Sequence, residues 1–111
     1  VKSMFTERVD NVMSLRRGFS FKEGTKILLV EDIVTTGGSI FEVIKVIREL
    51  GGDIRGVGYL VDRSGGKVDF GVKQYPLVKL DIVTYQPDNC PLCKNGIELI
   101  KPGSKKNPAV K

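Results

Sequence analysis

Two adjacent carboxylates, Glu31 and Asp32, close a run of four apolar residues in the stretch "ILLVEDIVTTGGSI" at 27–40, and a turn of threonine, glycine and serine follows them. Acids at the carboxyl end of a buried strand stand where open α/β folds bind ligands. The small side chains of "TTGGS" let backbone N–H groups approach an anion, and the helix that follows turns the partly positive end of its dipole to the same place. Phosphate on the loop is the chemistry this suggests. Its neighbour must then satisfy two carboxylates, and a ribose diol with Mg²⁺ does so, because hydroxyls donate hydrogen bonds and the cation offsets the charge. A sugar 5-phosphate fits both halves. Two common phosphate signatures are excluded: a Walker loop needs a lysine where Gly38 stands, and G-x-G-x-x-G is absent. Taken singly, an acidic pair on a rim and a glycine turn into a helix are ordinary features. Their joint occurrence points to a ligand site.

The elements that must position these residues are legible from periodicity. "KILLV" is an unbroken apolar run, which predicts a strand covered on both faces, as in a parallel sheet. Ile40, Val43, Ile44, Ile47 and Leu50 fall at helical spacing, so residues 39–50 read as a helix with its apolar stripe on the sheet, stopped by Gly51 and Gly52. Ser39 and Glu42 stand at the spacing of a capping box. "DIRGVGYLV" reads as the next strand, so 26–31 and 53–61 should run parallel through a right-handed crossover. "DRSGGK" is a loop at the carboxyl end of that strand, and 76–83 reads as a last strand. Upstream, "KSMFTERV" and "VMSLR" read as two strands of a hairpin joined by a turn at "VDN". The end of the chain reads as a tail with a short turn of helix near the cysteines, and "KPGS" within it as a type II turn.

At 111 residues the chain is long enough for one modest α/β domain and small for an enzyme that encloses two substrates. Apolar content of 41% fits a globular class, no apolar run is long enough to cross a bilayer, and no secretory signal is recognisable at the start, so the cytoplasm is expected and no membrane partner. Net charge is +5, but the surplus lies at the two ends: residues 31–87 hold seven Lys/Arg against eight acids. A nucleic-acid face concentrates basic charge along one element with aromatics interleaved, and nothing here does, so nucleic acid is not the expected partner. Cys90 and Cys93 form one C-x-x-C. With no histidine and no second pair, zinc would need two chains to share it, and structural thiols are the expectation.

Over its whole length "ILLVEDIVTTGGS" resembles the ribose-phosphate signature of the type I phosphoribosyltransferases. The resemblance implies an α/β, Rossmann-like, mostly parallel sheet flanked by helices, present here as an incomplete carboxyl-terminal portion. Residues 1–85 would be part of the core and 86–111 the tail. It implies that Glu31 and Asp32 hold the ribose hydroxyls of phosphoribosyl pyrophosphate, that Thr35, Thr36, Gly37, Gly38 and Ser39 wrap its 5-phosphate, and that Mg²⁺ is required. Within that family "MFTERVDNVMSLRRGF", "GYLVDRSGGKVDFG" and "CPLCKNGIELIKPGS" look like the mobile loop, base-side loop and tail of the orotate phosphoribosyltransferases. Arg63, with Thr35, would then contact orotate, whose carboxylate a guanidinium can pair bidentately. The other reading of Arg63 is a surface salt bridge with Asp62 or Asp69. Arg8, Arg16 and Arg17 would serve as catalytic cations on the leaving pyrophosphate, in the family usually from the neighbouring subunit of a homodimer. The family loop carries lysines and a histidine, whereas this chain has no histidine, and the other reading of these arginines is a solvated hairpin. The reaction implied gives orotidine 5-phosphate and pyrophosphate in pyrimidine biosynthesis. The alternatives are a purine phosphoribosyltransferase, for which Arg63 would meet no carboxylate, and a regulatory phosphoribosyl-pyrophosphate-binding protein on the same fold. The family's upstream hood and pyrophosphate loop are not among these residues, so the segment alone is expected to bind a nucleotide weakly and catalyse little.

Overall fold

Apolar residues on one side of a short parallel sheet and on one stripe of a helix make the centre of the structure, a computed structural model that describes residues 1–97. The elements in order are β1 (Thr6–Val9), β2 (Val12–Leu15), β3 (Lys26–Val34), α1 (Gly38–Glu49), β4 (Asp53–Asp62), β5 (Gln74–Lys79) and a single helical turn α2 (Pro91–Lys94). The sheet order is β3-β4-β5, both pairs parallel, and β1 and β2 form a separate antiparallel ribbon. Asp10 and Asn11 turn that ribbon with φ of 50° and 64°, the paired positive values that a two-residue hairpin turn requires and that these residue types tolerate.

The helix lies where its spacing placed it, and Ile40, Ile44 and Ile47 are buried against Leu29, Val57 and Tyr59. Each such isoleucine contributes roughly 1.5–3 kcal/mol by leaving water. Gly52 lets the chain turn back between Ile47, Ile27 and Phe21, whose atoms would stand within 3.1 Å of any Cβ there. Phe70 closes the top of the core, its ring 5.0 Å from Phe41 and 6.2 Å from Tyr59. Gln74 holds the segment that carries Phe70, since its side-chain oxygen accepts the Phe70 N–H at 2.6 Å and its amide donates to the Val68 carbonyl at 3.1 Å.

Three expectations are corrected. The sheet is covered on one face only: Leu28, Val30, Leu60 and Leu77 are 59%, 74%, 54% and 75% exposed, and no layer among the described residues lies over them. The apolar run of β3 registered two apolar faces, whereas α1 occupies one. The last strand begins at Gln74 and ends at Lys79, because β4 supplies parallel pairing from Val57 to Asp62 and no further. The first hairpin strand is limited to Thr6–Val9, the length its partner matches. The helical turn near the cysteines is present, while "KPGS" lies outside the described residues.

Candidate functional site

β3 delivers the two acids, close enough together that the Asp32 carboxylate acts on the Glu31 carboxyl. Glu31 is half-buried and lines an open cavity of about 70 Å³ whose other walls are Ile33, Val34 and the loop into α1, while Asp32 is exposed and is not among the residues lining that cavity. Glu31 Oε1 accepts the Asp32 N–H at 3.1 Å, and Asp32 Oδ1 accepts the Ile33 N–H at 2.6 Å. Burial pushes the Glu31 carboxyl above its ordinary value, the Asp32 carboxylate adds to the rise, and the Asp32 N–H partly offsets it. A carboxyl raised on folding stabilises the fold at low pH and loses that contribution as pH rises through the raised value. Glu31→Gln is therefore expected to raise the thermal midpoint at pH 7, to leave it unchanged in acid, and to weaken ribose 5-phosphate binding. Melting curves across pH together with calorimetric titration check this. An unchanged midpoint at every pH would contradict the cause assigned.

The loop that follows gives its backbone to whatever binds. Gly37 is the residue before α1, with φ of 76°, and no side chain caps the helix. The expected capping box is thus absent. Glu42 instead accepts a charge-assisted bond from Arg8 at 2.8 Å, which takes its carboxylate away from the helix end. The first-turn N–H groups before Phe41, whose own N–H bonds the Gly37 carbonyl at 3.0 Å, remain without helical partners. Uncapped donors at a helix start are what an anion uses. Gly37 also lies against the core, where a Cβ would stand 2.8 Å from Phe70 and from Val68.

A second cavity, of about 250 Å³, adjoins the first and shares Thr35 and Thr36 with it. Arg63, Ser64 and Lys67 line it from the loop after β4, and Asp81, Ile82 and Thr84 from the extended chain after β5. Thr35 and Arg63 are therefore brought together. Neither carboxylate expected as a rival partner pairs with Arg63 among the described residues: Asp62 accepts the Ser64 N–H and hydroxyl at 2.8 and 2.6 Å, and Asp69 accepts the Gly71 N–H at 2.8 Å. The Ser64 bond holds the Asp62 carboxyl below the usual range against the opposing effect of burial. Its contribution to the loop is present at neutral pH and lost as pH falls through that depressed value. Lys67, Asp81 and Thr84 were missed by sequence reasoning. The one available signal was a second cation four residues after Arg63.

The hairpin arginines are not gathered on one point. Arg8 bonds Glu42, and Arg17 bonds Glu7 at 3.1 and 3.3 Å while standing 5.6 Å over the Phe5 ring. Arg16 is exposed, with no ion pair among the described residues. Cys90 stands at the start of α2, and both cysteines are free thiols. Hydrogen bonds from the Cys93 backbone and thiol hold the Cys90 thiol below its ordinary value, and Cys93 is raised by the same pairing. Among the described residues no group of three or more His, Cys, Asp or Glu is placed to hold a metal, and no helix is long and apolar enough to cross a membrane.

No family model matches the chain. An orotate phosphoribosyltransferase of Caldanaerobacter subterraneus subsp. tengcongensis is 59% identical over 106 residues, which are 96% of this chain and 56% of that protein. One of Desulforamulus reducens is 55% identical over 105 residues, 95% of this chain and 55% of that protein. The chain spans about half the length of the curated relatives it matches. Among solved structures, the adenine phosphoribosyltransferase of Thermoanaerobacter pseudethanolicus shares the fold, with a TM-score of 0.54 at 22% identity over 70% of this chain and 48% of the other. The parallel β3-α1-β4 unit with its uncapped glycine loop, and the 55–59% identity over nearly the whole chain, agree: this chain has the fold of the type I phosphoribosyltransferases and is similar to the orotate phosphoribosyltransferases.

Proposed function

We propose that the chain is the ribose-phosphate and base-contacting part of an orotate phosphoribosyltransferase, which transfers the phosphoribosyl group of phosphoribosyl pyrophosphate to orotate in pyrimidine biosynthesis in the cytoplasm. One observation carries this reading: a phosphate-type loop and Arg63, which makes no ion pair among the described residues, line two cavities that meet at Thr35 and Thr36. The loop of Thr35, Thr36, Gly37, Gly38 and Ser39 would bind the 5-phosphate, Glu31 and Asp32 the ribose hydroxyls, and Arg63 with Thr35 the anionic base. In the reaction the bond from carbon 1 to the pyrophosphate oxygen breaks as a ring nitrogen of orotate bonds that carbon, and the proton of that nitrogen passes to solvent or to the released pyrophosphate. No covalent enzyme intermediate is required. The developing oxocarbenium ion asks the protein for positioning and exclusion of water rather than for a general base. Two adjacent acids are the donor set that suits Mg²⁺, a hard cation taking one or two carboxylates and completing its shell with substrate oxygens and water. Bound there, it would offset the charge of the departing pyrophosphate.

Both cavities are smaller than the roughly 300–1,000 Å³ of an ordinary small-molecule pocket. The bare apolar face of the sheet likewise supports reading the chain as part of a larger core, and the working assembly as a homodimer whose hairpin arginines act on pyrophosphate. Of the three, Arg16 is the one without an ion pair among the described residues. Arg16→Ala is expected to lower kcat by about 100-fold, in the range of losing one donor to a developing anion, and Arg17→Ala by clearly less. Equal losses would remove the distinction.

The test of the function is the fall in orotate absorbance with Mg²⁺ and phosphoribosyl pyrophosphate, run beside adenine and hypoxanthine. It should use the chain joined to the amino-terminal residues of the Caldanaerobacter relative. Orotate should be consumed and the purines spared. Preference for a purine would overturn the assignment and favour the adenine or hypoxanthine class.

A further inference from the structure

We propose that Asp62, which touches neither cavity, is the positioning residue that aims Arg63 at the anionic group of the base. The proposal rests on the base-site reading above and extends it to a residue that reading does not use. Asp62 is the one buried charged side chain among the described residues, 1% exposed. A carboxylate removed from water is retained at a cost unless donors surround it. Here they come from the loop next to Arg63: Oδ1 takes both the N–H and the hydroxyl of Ser64, at 2.8 and 2.6 Å. Ser64 Oγ in turn accepts the Val68 N–H at 3.4 Å.

The loop needs that anchor. Gly65 and Gly66 take successive φ of 66° and 77°, and two unrestrained glycines lose much backbone freedom when ordered. On its other side Arg63 is fixed by main chain alone, its N–H donating to the Val34 carbonyl at 2.8 Å while the Asp62 carbonyl accepts the Leu80 N–H at 2.8 Å. Arg63 is thus held from before by the strands and from after by the Asp62–Ser64 clamp. Release of the clamp frees the segment 63–67 and with it the direction of the guanidinium, while the phosphate loop, on β3 and α1, keeps its place.

Orotidine 5-phosphate and uridine 5-phosphate differ only in the carboxylate that Arg63 would meet, so the ratio of their dissociation constants reads its aim. Calorimetric titration of the 111-residue chain with both nucleotides and with ribose 5-phosphate is the experiment. Asp62→Ala should bring the nucleotide ratio down by about tenfold or more, as far as Arg63→Ala does, with ribose 5-phosphate affinity nearly unchanged. The double variant should be no worse than Arg63→Ala, the signature of two residues acting through one contact. Should Asp62→Ala not fold, Asp62→Asn keeps the volume and one acceptor and should give an intermediate ratio. A wild-type ratio in the folded Asp62 variants overturns the proposal, as does an equal loss of all three ligands. A wild-type chain that fails to prefer orotidine 5-phosphate overturns instead the base reading on which the proposal stands.

Discussion

Arg63→Ala is expected to lower kcat/KM for orotate by two to three orders of magnitude, in line with the roughly 2–5 kcal/mol lost when one partner of a hydrogen-bonded charge pair is truncated. The size follows from what surrounds the side chain. Arg63 lines the larger cavity and makes no ion pair among the described residues: Asp62 and Asp69 are taken by backbone and hydroxyl donors of their own loop, and Asp81, on the same cavity, forms no salt bridge with it. A cation left unpaired beside a cavity is available to an anionic ligand. Arg63→Lys keeps the charge and loses the planar fork, so it should fall between wild type and alanine. Steady-state kinetics with orotate varied, and separate titration of phosphoribosyl pyrophosphate, distinguish the base site from the phosphate site. Loss of cosubstrate binding equal to the loss for orotate would place Arg63 elsewhere in the mechanism.

Gly37→Ala should remove phosphate binding and destabilise the chain together. An alanine in the left-handed region costs about 1–2 kcal/mol, and forcing a methyl into packed core adds about 1–3 kcal/mol. The second cost applies because the neighbours cannot retreat. Phe70 is set between Phe41 and Tyr59, and its N–H is held by Gln74 at 2.6 Å. Room for a Cβ at Gly37 would have to come from moving the loop, which carries the first-turn N–H donors with it. Gly38→Ala is the control: its Cβ would meet only Thr36 Oγ1, at 3.7 Å, and a helical residue there gains propensity. Thermal melts and ribose 5-phosphate titration should show Gly37→Ala impaired in both and Gly38→Ala stable. A Gly37→Ala chain that melts and binds like wild type would dismiss the loop as the phosphate site.

The strand, turn and helix around Glu31 and Asp32 were readable because their signals are local. An apolar run, a glycine pair and five apolar residues at helical spacing each act within one element, and the helix differs from its expected bounds by a single residue at each end. The Asp10–Asn11 turn was equally legible, since few residue pairs accept two positive φ values. The capping box failed for the opposite reason. Ser39 and Glu42 have the right spacing, but Arg8, 34 positions away, claims the glutamate. The expected two-faced cover of β3 failed likewise, because apolar residues record that a face avoids water without recording what lies over it.

From its residue types alone the sequence determined a phosphate-type loop beside two acids and a candidate cation for the base, all chemistry that resides in single side chains and backbone turns. Tertiary structure decided the rest: that Glu31 lines the smaller cavity, that Thr35 and Thr36 join two cavities, that Asp81 and Thr84 line the larger one with Arg63, and that Asp62 grips Ser64. Those facts depend on pairings between segments distant along the chain, whose geometry is set by sheet register and packing, and no spacing within one segment encodes it.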